Sequence, residues 1–276
     1  MTPASTRRLV VLSPHLDDAA LSCGGLAAAA SGNIPVELWT VFASAPWLGP
    51  FSPLAQWLHA ICGGKKGKAL VRLRRREDRS AARLLGVNTH YFHFQDAVYR
   101  LRDDGSFAYS DTRLGEWDPA DEKIIQSIAA AIRRKIGAAD LVLCPLGAGS
   151  HVDHLIVRRA AEQSVDSKQL LYYPDLPYAA ARPEDAVVRS AGLLVSTYKL
   201  TTDQISRWVS AVNCYSSQRR MLEEPAGPLD DLITNVNVTG LNIFARNELP
   251  FSILRDAAGI EMTSSPASRS IAATRK

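Results

Sequence analysis

Short runs of apolar, β-branched residues alternate along the chain with longer segments of helical periodicity. The run RLVVLS at residues 8–13 is typical of a strand buried on both faces of a parallel sheet. Further strands are predicted at 36–42, 87–94, 140–144 and 169–173, with an edge strand at 194–200. Helices are predicted at 18–30, 70–85, 119–136, 151–164 and 202–222. This alternation predicts an α/β fold: a Rossmann-like open, mostly parallel sheet with helices on both faces and an irregular or small antiparallel extension.

Three segments fit none of these elements. Residues 43–67 hold three prolines and four glycines around a possible short helix, and residues 101–118 are polar. Connections of this length inside a compact domain often form the walls or lids of a site. The small, polar residues 263–276 are predicted to be a disordered tail. We therefore expect one domain over residues 1–262.

Composition excludes several classes of protein. The chain of 276 residues is 46% hydrophobic and 22% charged, which is ordinary for a globular protein. It contains no run of about 18 apolar residues, so no transmembrane segment is predicted. The two arginines before residues 9–13 superficially resemble a signal peptide, but the apolar run is too short. The four cysteines form no CxxC pair, which favours reduced thiols in a cytoplasmic protein.

The positive charge is partly local. The net charge is +4, and seven lysines and arginines fall within residues 65–76. This basic run is either a solvated helix face or a site for an anionic part of a substrate. No aromatic residues are interleaved with it, so nucleic-acid binding is not indicated. The pattern does not predict an oligomeric state.

Polar side chains collect where the first predicted strand ends. The sequence SPHLDD places His15, Asp17 and Asp18 directly behind that strand. A second cluster, HVDH at residues 151–154, follows the fourth strand after a short loop. Ligands of open α/β sheets gather at the carboxyl ends of the strands, so we expect the two clusters to meet. Asp18 alone could be a helix N-cap, but a cap explains neither Asp17 nor His15.

Histidine and aspartate in this combination are typical ligands of a catalytic zinc. Such a site takes three protein ligands and leaves one position for water, whose proton a nearby carboxylate can accept. Two adjacent aspartates can divide these roles, since neighbouring residues in a turn point in different directions. Likewise, either His151 or His154 could bind the metal while the other acts on the substrate.

The two clusters resemble the motifs of a known family. SPHLDD followed by LSCGG, with HVDH behind the fourth strand, resembles the PIG-L/LmbE family of zinc-dependent N-acetylglucosaminyl deacetylases. Weaker similarities extend over residues 7–222: RRRE at 74–77, FQD at 94–96, YYPDLPY at 172–178 and YSSQ at 215–218. Two departures are Ala19, where many members have Glu, and Pro174, which stands in place of a Glu.

The resemblance implies a role for each matching position. His15, Asp18 and His154 would be the metal ligands, and the implied cofactor is Zn²⁺. Asp17 would be the general base that takes a proton from the metal-bound water.

Four further positions would serve the substrate. His151 would stabilise the oxyanion or assist departure of the amine, with Asp153 holding its orientation and charge. Arg74, chosen among three consecutive arginines by the R-x-x-E spacing, would bind sugar hydroxyls together with Asp96.

The implied function is zinc-dependent removal of the N-acetyl group from an N-acetylated amino sugar of the GlcNAc type. The partner would be a small-molecule amino sugar or a glycoconjugate. One alternative is a non-haem iron oxygenase that uses His15-Leu16-Asp17 as its H-x-D motif, although such enzymes usually have all-β folds. The other is a sugar-binding protein of the same fold without catalytic activity.

Overall fold

The computed structural model describes residues 7–113, 115–224, 226–258 and 262–266. Its strands are β1 Leu9–Ser13, β2 Val36–Thr40, β3 Asn88–Tyr91, β4 Leu141–Pro145, β5 Leu170–Tyr173, β6 Leu194–Tyr198, β7 Leu241–Ala245 and β8 Met262–Pro266. Its helices are α1 Asp18–Ala30, α2 Pro53–Ile61, α3 Gly67–Leu85, α4 Glu122–Arg133, α5 Val152–Ser164, α6 Tyr178–Ala181, α7 Pro183–Arg189, α8 Thr202–Val212, α9 Arg219–Glu223, α10 Leu229–Thr239 and α11 Leu249–Ala258. Within the described part of the chain, no helix combines the length and the apolarity needed to cross a membrane.

The strands form one eight-stranded sheet in the order β3-β2-β1-β4-β5-β7-β6-β8. The first five strands in this order are parallel, and β7, β6 and β8 continue the sheet with antiparallel pairs. The mostly parallel sheet with an antiparallel extension confirms the predicted fold class. Because β1 pairs with β4, the loops that follow these two strands open at the same edge of the sheet.

Side chains of β1 alternate between two hydrophobic cores, since successive residues of a strand point to opposite faces. Leu9 and Val11 pack in the core beneath α1, α3 and α8, whereas Val10 and Leu12 pack beneath α4 and α5. The sheet is thus covered on both faces, which explains why β1 is an uninterrupted apolar run.

A close contact between α1 and α8 fixes the position of α1. The indole nitrogen of Trp208 on α8 donates to the carbonyl of Ala20 at 2.6 Å. A Cβ atom at Gly24 would lie only 2.6 Å from Cδ1 of this indole, so the tight approach of the two helices requires glycine there. The packing holds the N-terminus of α1, which carries Asp17 and Asp18, in place at the end of β1.

The second half of the chain departs from the prediction in three ways. The strand β6 is not at the edge, because β7 and β8 pair with its two sides. The helix predicted over 202–222 ends at Val212, and α9 begins only at Arg219. Residues 263–266, predicted to begin a disordered tail, form most of β8, because a small polar sequence can satisfy its backbone by pairing with an open strand edge. The rest of that tail, residues 267–276, lies outside the described residues.

Candidate metal centre and active-site cavity

Three candidate ligands meet at the carboxyl ends of β1 and β4. The Oδ2 atom of Asp18 lies 3.1 Å from Nδ1 of His15 and 3.4 Å from Nε2 of His154. Asp18 also accepts a hydrogen bond from the backbone N–H of His15 at 2.7 Å, so its carboxylate serves this cluster and does not cap α1. His154 lies in the first turn of α5, which begins just behind β4.

The donor chemistry of this cluster fits a metal ion. Nε2 of His154 is buried and has no hydrogen-bond partner, while Nδ1 lies 2.6 Å from Oδ1 of Asp175. A proton on Nδ1 satisfies the Asp175 carboxylate and leaves a lone pair on Nε2, as in metal-bound histidines. Donor atoms around a tetrahedral zinc lie about 3.3–3.6 Å apart, close to the separations seen here. The cluster His15, Asp18 and His154 has the composition and spacing to hold a metal ion.

Asp175 is a site residue to which sequence reasoning assigned no role. Besides His154, its carboxylate accepts hydrogen bonds from the backbone N–H groups of Gly147 and Ala148 at 2.6 and 2.9 Å. The φ angle of 83° at Gly147 lies in the left-handed region that favours glycine, and a Cβ atom there would meet Leu155 at 2.7 Å. In the sequence, Asp175 was marked only by the YYPDLPY stretch, and no partner was predicted for it there.

Asp153 supports the other histidine ligand. Its Oδ2 atom lies 2.9 Å from Nε2 of His15, and Oδ1 accepts a hydrogen bond of 2.6 Å from Arg100. Arg100 is buried and also lies 2.9 Å from Asp121. No sequence motif marked Arg100 or Asp121, because neither belongs to a recognisable cluster.

This arrangement differs from the predicted role of Asp153. We expected its carboxylate to orient His151, whereas the carboxylate bonds to His15 and Arg100. Its link to His151 runs through the main chain: the backbone N–H of Asp153 donates to Nδ1 of His151 at 3.2 Å. The reason is that His151 is the N-cap of α5 and turns its ring back toward the helix.

Asp17 lies beside the metal cluster but outside it. Its side chain is 3% exposed, and Oδ2 lies 3.4 Å from the guanidinium of Arg74. Burial raises the pKa of Asp17 to about 6, against the opposing effect of Arg74. Among the described residues, two groups have metal-ligand spacing, and both include His15 but neither includes Asp17. The H-x-D motif of an iron oxygenase, which needs Asp17 as ligand, is therefore not assembled.

Of the three consecutive arginines, Arg74 reaches the site. It is buried on α3 and is the only residue of the basic run among the described cavity-lining side chains. Arg75 instead donates to the carbonyl of Ala43 at 2.7 Å. Glu77, the other end of the R-x-x-E spacing, accepts hydrogen bonds from the YSSQ segment. The two ends of the R-x-x-E spacing thus have different tasks: Arg74 lines the cavity, and Glu77 holds the loop before α9.

His151 and Asp96 also line the cavity. Burial holds the pKa of His151 well below its ordinary value. Asp96 caps the short 3₁₀ turn Ala97–Tyr99 through its Oδ1 atom, and its Oδ2 atom lies 3.7 Å from Nε2 of His15. Six of the eight predicted site residues line the cavity, and the other two, Asp153 and His154, contact His15 and Asp18 of that lining.

The cavity above these groups has a volume of about 340 Å³. Both irregular segments contribute to it, as predicted: residues 43–67 through α2, and residues 101–118 through Asp111, Thr112 and Arg113. The lining also includes an apolar wall, which we define as Leu54, Trp57, Leu58, Met221 and Leu222. These side chains come from α2 and from α9.

Comparison with known proteins identifies the family. Residues 10–165 match the family model described as PIG-L, GlcNAc-PI de-N-acetylase. Over 184 residues the chain is 37% identical to the 2′-N-acetylparomamine deacetylase of Streptomyces fradiae, an alignment that covers 65% of this chain and 60% of that relative.

Solved structures of deacetylases are similar over most of the chain. A deacetylase of teicoplanin biosynthesis is 31% identical with a TM-score of 0.73, covering 86% of this chain and 96% of its own. A teicoplanin deacetylase in a zinc-inhibited form is 30% identical with a TM-score of 0.71, covering 86% and 97%. The family match, together with the His/Asp clusters at the ends of β1 and β4, shows that the chain belongs to the PIG-L family.

Proposed function

We propose that this protein is a metal-dependent amidohydrolase that removes the N-acetyl group from an amino sugar within a glycoconjugate or sugar-containing metabolite. One observation carries the proposal: two residues of the three-residue metal cluster, His15 and Asp18, line the same cavity as Asp17, a carboxylate outside the cluster. This is the arrangement that hydrolysis of an unactivated amide requires, since water must be both bound and deprotonated.

His15, Asp18 and His154 would hold the metal, which we propose to be zinc. When bound, zinc lowers the pKa of a water ligand to about 7 and polarises the carbonyl of a bound amide. The chain supplies the orientation of these ligands. Asp153 fixes one nitrogen of His15 at 2.9 Å and Asp175 fixes one nitrogen of His154 at 2.6 Å, so the other nitrogen of each imidazole lies beside Oδ2 of Asp18, where the three donors meet.

Asp17 is the proposed general base. Its raised pKa of about 6 keeps it ionised near neutral pH while making it a stronger proton acceptor than an exposed aspartate. Arg74 at 3.4 Å holds the carboxylate in its charged form until the proton arrives. The proton moves from the attacking water to Oδ1 or Oδ2 of Asp17, and finally to the leaving amine.

His151 acts on the other side of the amide. It lines the cavity, and its lowered pKa describes a neutral ring in the resting enzyme. A ring N–H can donate a hydrogen bond to the developing oxyanion without adding charge to the ground state. Arg74 and Asp96 are proposed to hold the sugar, since a guanidinium and a carboxylate both hydrogen-bond to hydroxyl groups.

The names of similar proteins support a sugar substrate. The Streptomyces fradiae relative is a deacetylase of 2′-N-acetylparomamine, and the structural neighbours deacetylate in teicoplanin biosynthesis. Since both relatives are deacetylases and one is named for an N-acetylated amino sugar, we propose N-acetylated amino-sugar conjugates as the substrate class of this protein.

The test measures acetate release from a panel of N-acetylated amino sugars and conjugates by protein treated with a chelator and then reloaded with zinc, cobalt or iron(II). We expect no release after chelation and recovery with zinc at one equivalent. Because one neighbour is a zinc-inhibited form, the titration extends beyond one equivalent. Binding of the panel without acetate release would support a non-catalytic sugar-binding protein. Turnover that depends on dioxygen and iron would support an oxygenase.

A further inference from the structure

The active-site cavity continues into a second depression. An open groove of about 810 Å³ lies beside it, lined by Trp57, Ile61, Ser216, Arg219, Arg220, Glu223 and Glu224. Trp57 and Glu224 line both spaces. These two side chains therefore form the boundary over which a ligand anchored at the metal cluster would extend.

The sizes of the two spaces indicate what each can hold. Small-molecule sites usually measure about 300–1,000 Å³, and the cavity of about 340 Å³ is near the lower end of that range. It suits one sugar ring with its acetamido group. A second ring of such a substrate lies outside the cavity, and the groove beyond Trp57 and Glu224 has room for it.

Trp57 presents an aromatic surface on a fixed helix. The residue is 50% exposed, although tryptophan normally buries most of its large apolar surface. Its helix α2 is capped by Ser52 and held at the other end by His59, whose Nε2 atom lies 2.9 Å from the hydroxyl of Tyr99. An indole held in this way offers a flat apolar face to the C–H groups of a ring.

Charged groups beside Trp57 are available to a ligand. Arg219 is engaged by Glu223 at 2.9 Å. For the neighbouring Arg220 and Glu224, no ion-pair partner lies within 4 Å among the residues that the structure describes, and both are exposed. One carboxylate and one guanidinium next to an aromatic face suit a ring that bears hydroxyl or amino groups.

We infer that Trp57, Arg220 and Glu224 form a subsite for a second polyhydroxylated or amino-bearing ring, linked to the N-acetylated sugar that enters the cavity. The inference rests on the proposed function, because it takes the reacting amide to lie at the metal cluster. Trp57 is a specificity-determining residue in this assignment: it favours two-ring substrates over single sugars and takes no part in the proton transfers.

The experiment compares kcat/KM for a two-ring substrate, 2′-N-acetylparomamine, with kcat/KM for N-acetylglucosamine. We expect Trp57→Ala to lower the ratio of the two values about tenfold and Trp57→Phe to retain most of it, since phenylalanine keeps an aromatic face. Trp47, which is 60% exposed and absent from both linings, provides the matched control. Trp47→Ala should leave the ratio unchanged.

A binding measurement separates failure of the subsite from failure of the function. Calorimetry of 2′-N-acetylparomamine with zinc-loaded Asp17→Asn protein needs no turnover, and adding Trp57→Ala should weaken that binding about tenfold. If the wild type turns over both substrates and Trp57→Ala changes neither the ratio nor the binding, the subsite is wrong and the function stands. If no acetate is released from either substrate but Trp57→Ala still weakens binding, the subsite stands and the proposed activity on these substrates is wrong.

Discussion

The two sides of the cavity are built in different ways. On one side, the polar wall consists of His15, Asp17, Asp18, Arg74, Asp96 and His151. Its histidine and aspartate residues follow strands of the parallel sheet, and all six residues are buried, at most 8% exposed. The apolar wall comes from α2 and α9, which lie outside the parallel sheet. One of its residues, Trp57, is 50% exposed.

The difference lies in how many groups hold each side chain. On the polar wall, His15 is held by both Asp18 and Asp153, and Asp153 in turn by Arg100. The apolar wall depends on helix packing and on the few hydrogen bonds that anchor its two helices. We propose that the polar wall carries out the reaction and holds the reacting sugar, and that the apolar wall selects among larger substrates.

The largest expected effect is on the polar wall, at the proposed base. Replacing Asp17 by Asn should lower kcat about 10²- to 10⁴-fold, the usual contribution of a positioned general base. Bound metal, measured by elemental analysis, should be retained because Asp17 is in neither donor group. Asp103→Asn, an exposed change in the 101–118 segment, is the control. Full activity of Asp17→Asn would mean that another group takes the proton.

The next effect tests whether the polar wall also stabilises the fold. Arg100→Met leaves Asp153 and Asp121 buried without their cation, which should lower the free energy of unfolding of the metal-free protein by about 3–5 kcal/mol. Arg113→Met removes the ion pair of Arg113 with Asp111, whose side chains are 57% and 46% exposed. It should lower the free energy of unfolding by at most about 1 kcal/mol. Urea denaturation measures both. Equal losses would show that the Arg100 network contributes no more than a surface pair.

A smaller effect concerns the support of a single ligand. Asp175→Asn weakens the hydrogen bond that fixes His154, and should lower metal affinity about 10- to 100-fold. Competition with a chelator of known affinity measures this loss. Asp140→Asn, a buried aspartate at the opposite end of β4, should leave metal affinity unchanged. A similar loss in the two variants would point to general destabilisation and against a role of Asp175 in the metal site.

The smallest effect is expected on the apolar wall. Glu77 accepts three hydrogen bonds from Ser216 and Ser217, just before α9. In Glu77→Gln these hydrogen bonds lose their charged acceptor. The loss weakens the attachment of α9 by about 1 kcal/mol of free energy. KM should rise severalfold with a smaller change in kcat, as measured by steady-state kinetics. A fall in kcat at constant KM would contradict the division of roles between the two walls.

Sequence reasoning located the parallel half of the fold and missed much of the antiparallel half. The strands β1 and β4 are short apolar runs followed by distinctive polar clusters, so their position in the chain and the meeting of the two clusters followed from general rules. The strand β8 has the sequence MTSSP, which carries no apolar alternation. Its pairing with β6 is decided by an available strand edge, which no local pattern records.

The meeting of the two polar clusters could be predicted because residue type and position carried the information, whereas the choice of His15, Asp18 and His154 as the donors was implied by the family resemblance. His15, Asp18 and His154 are suitable ligands, they follow adjacent parallel strands, and such strand ends meet at one edge of the sheet. The spacing R-x-x-E selected Arg74 correctly among three arginines as the one in the cavity. Which hydrogen bond each side chain makes was not available at that level, as the misassigned partner of Asp153 shows.

The sequence by itself determined the fold class, the edge of the sheet that carries chemistry and the residues that could act there. Only the tertiary structure decided which carboxylate holds which histidine, since Asp153 and His15 are 138 residues apart in the chain. The tertiary structure also brought α2 and α9 together to form the apolar wall of the cavity. The physical reason is that strand and helix propensities are local, whereas hydrogen-bond partners and cavity walls depend on how distant elements pack.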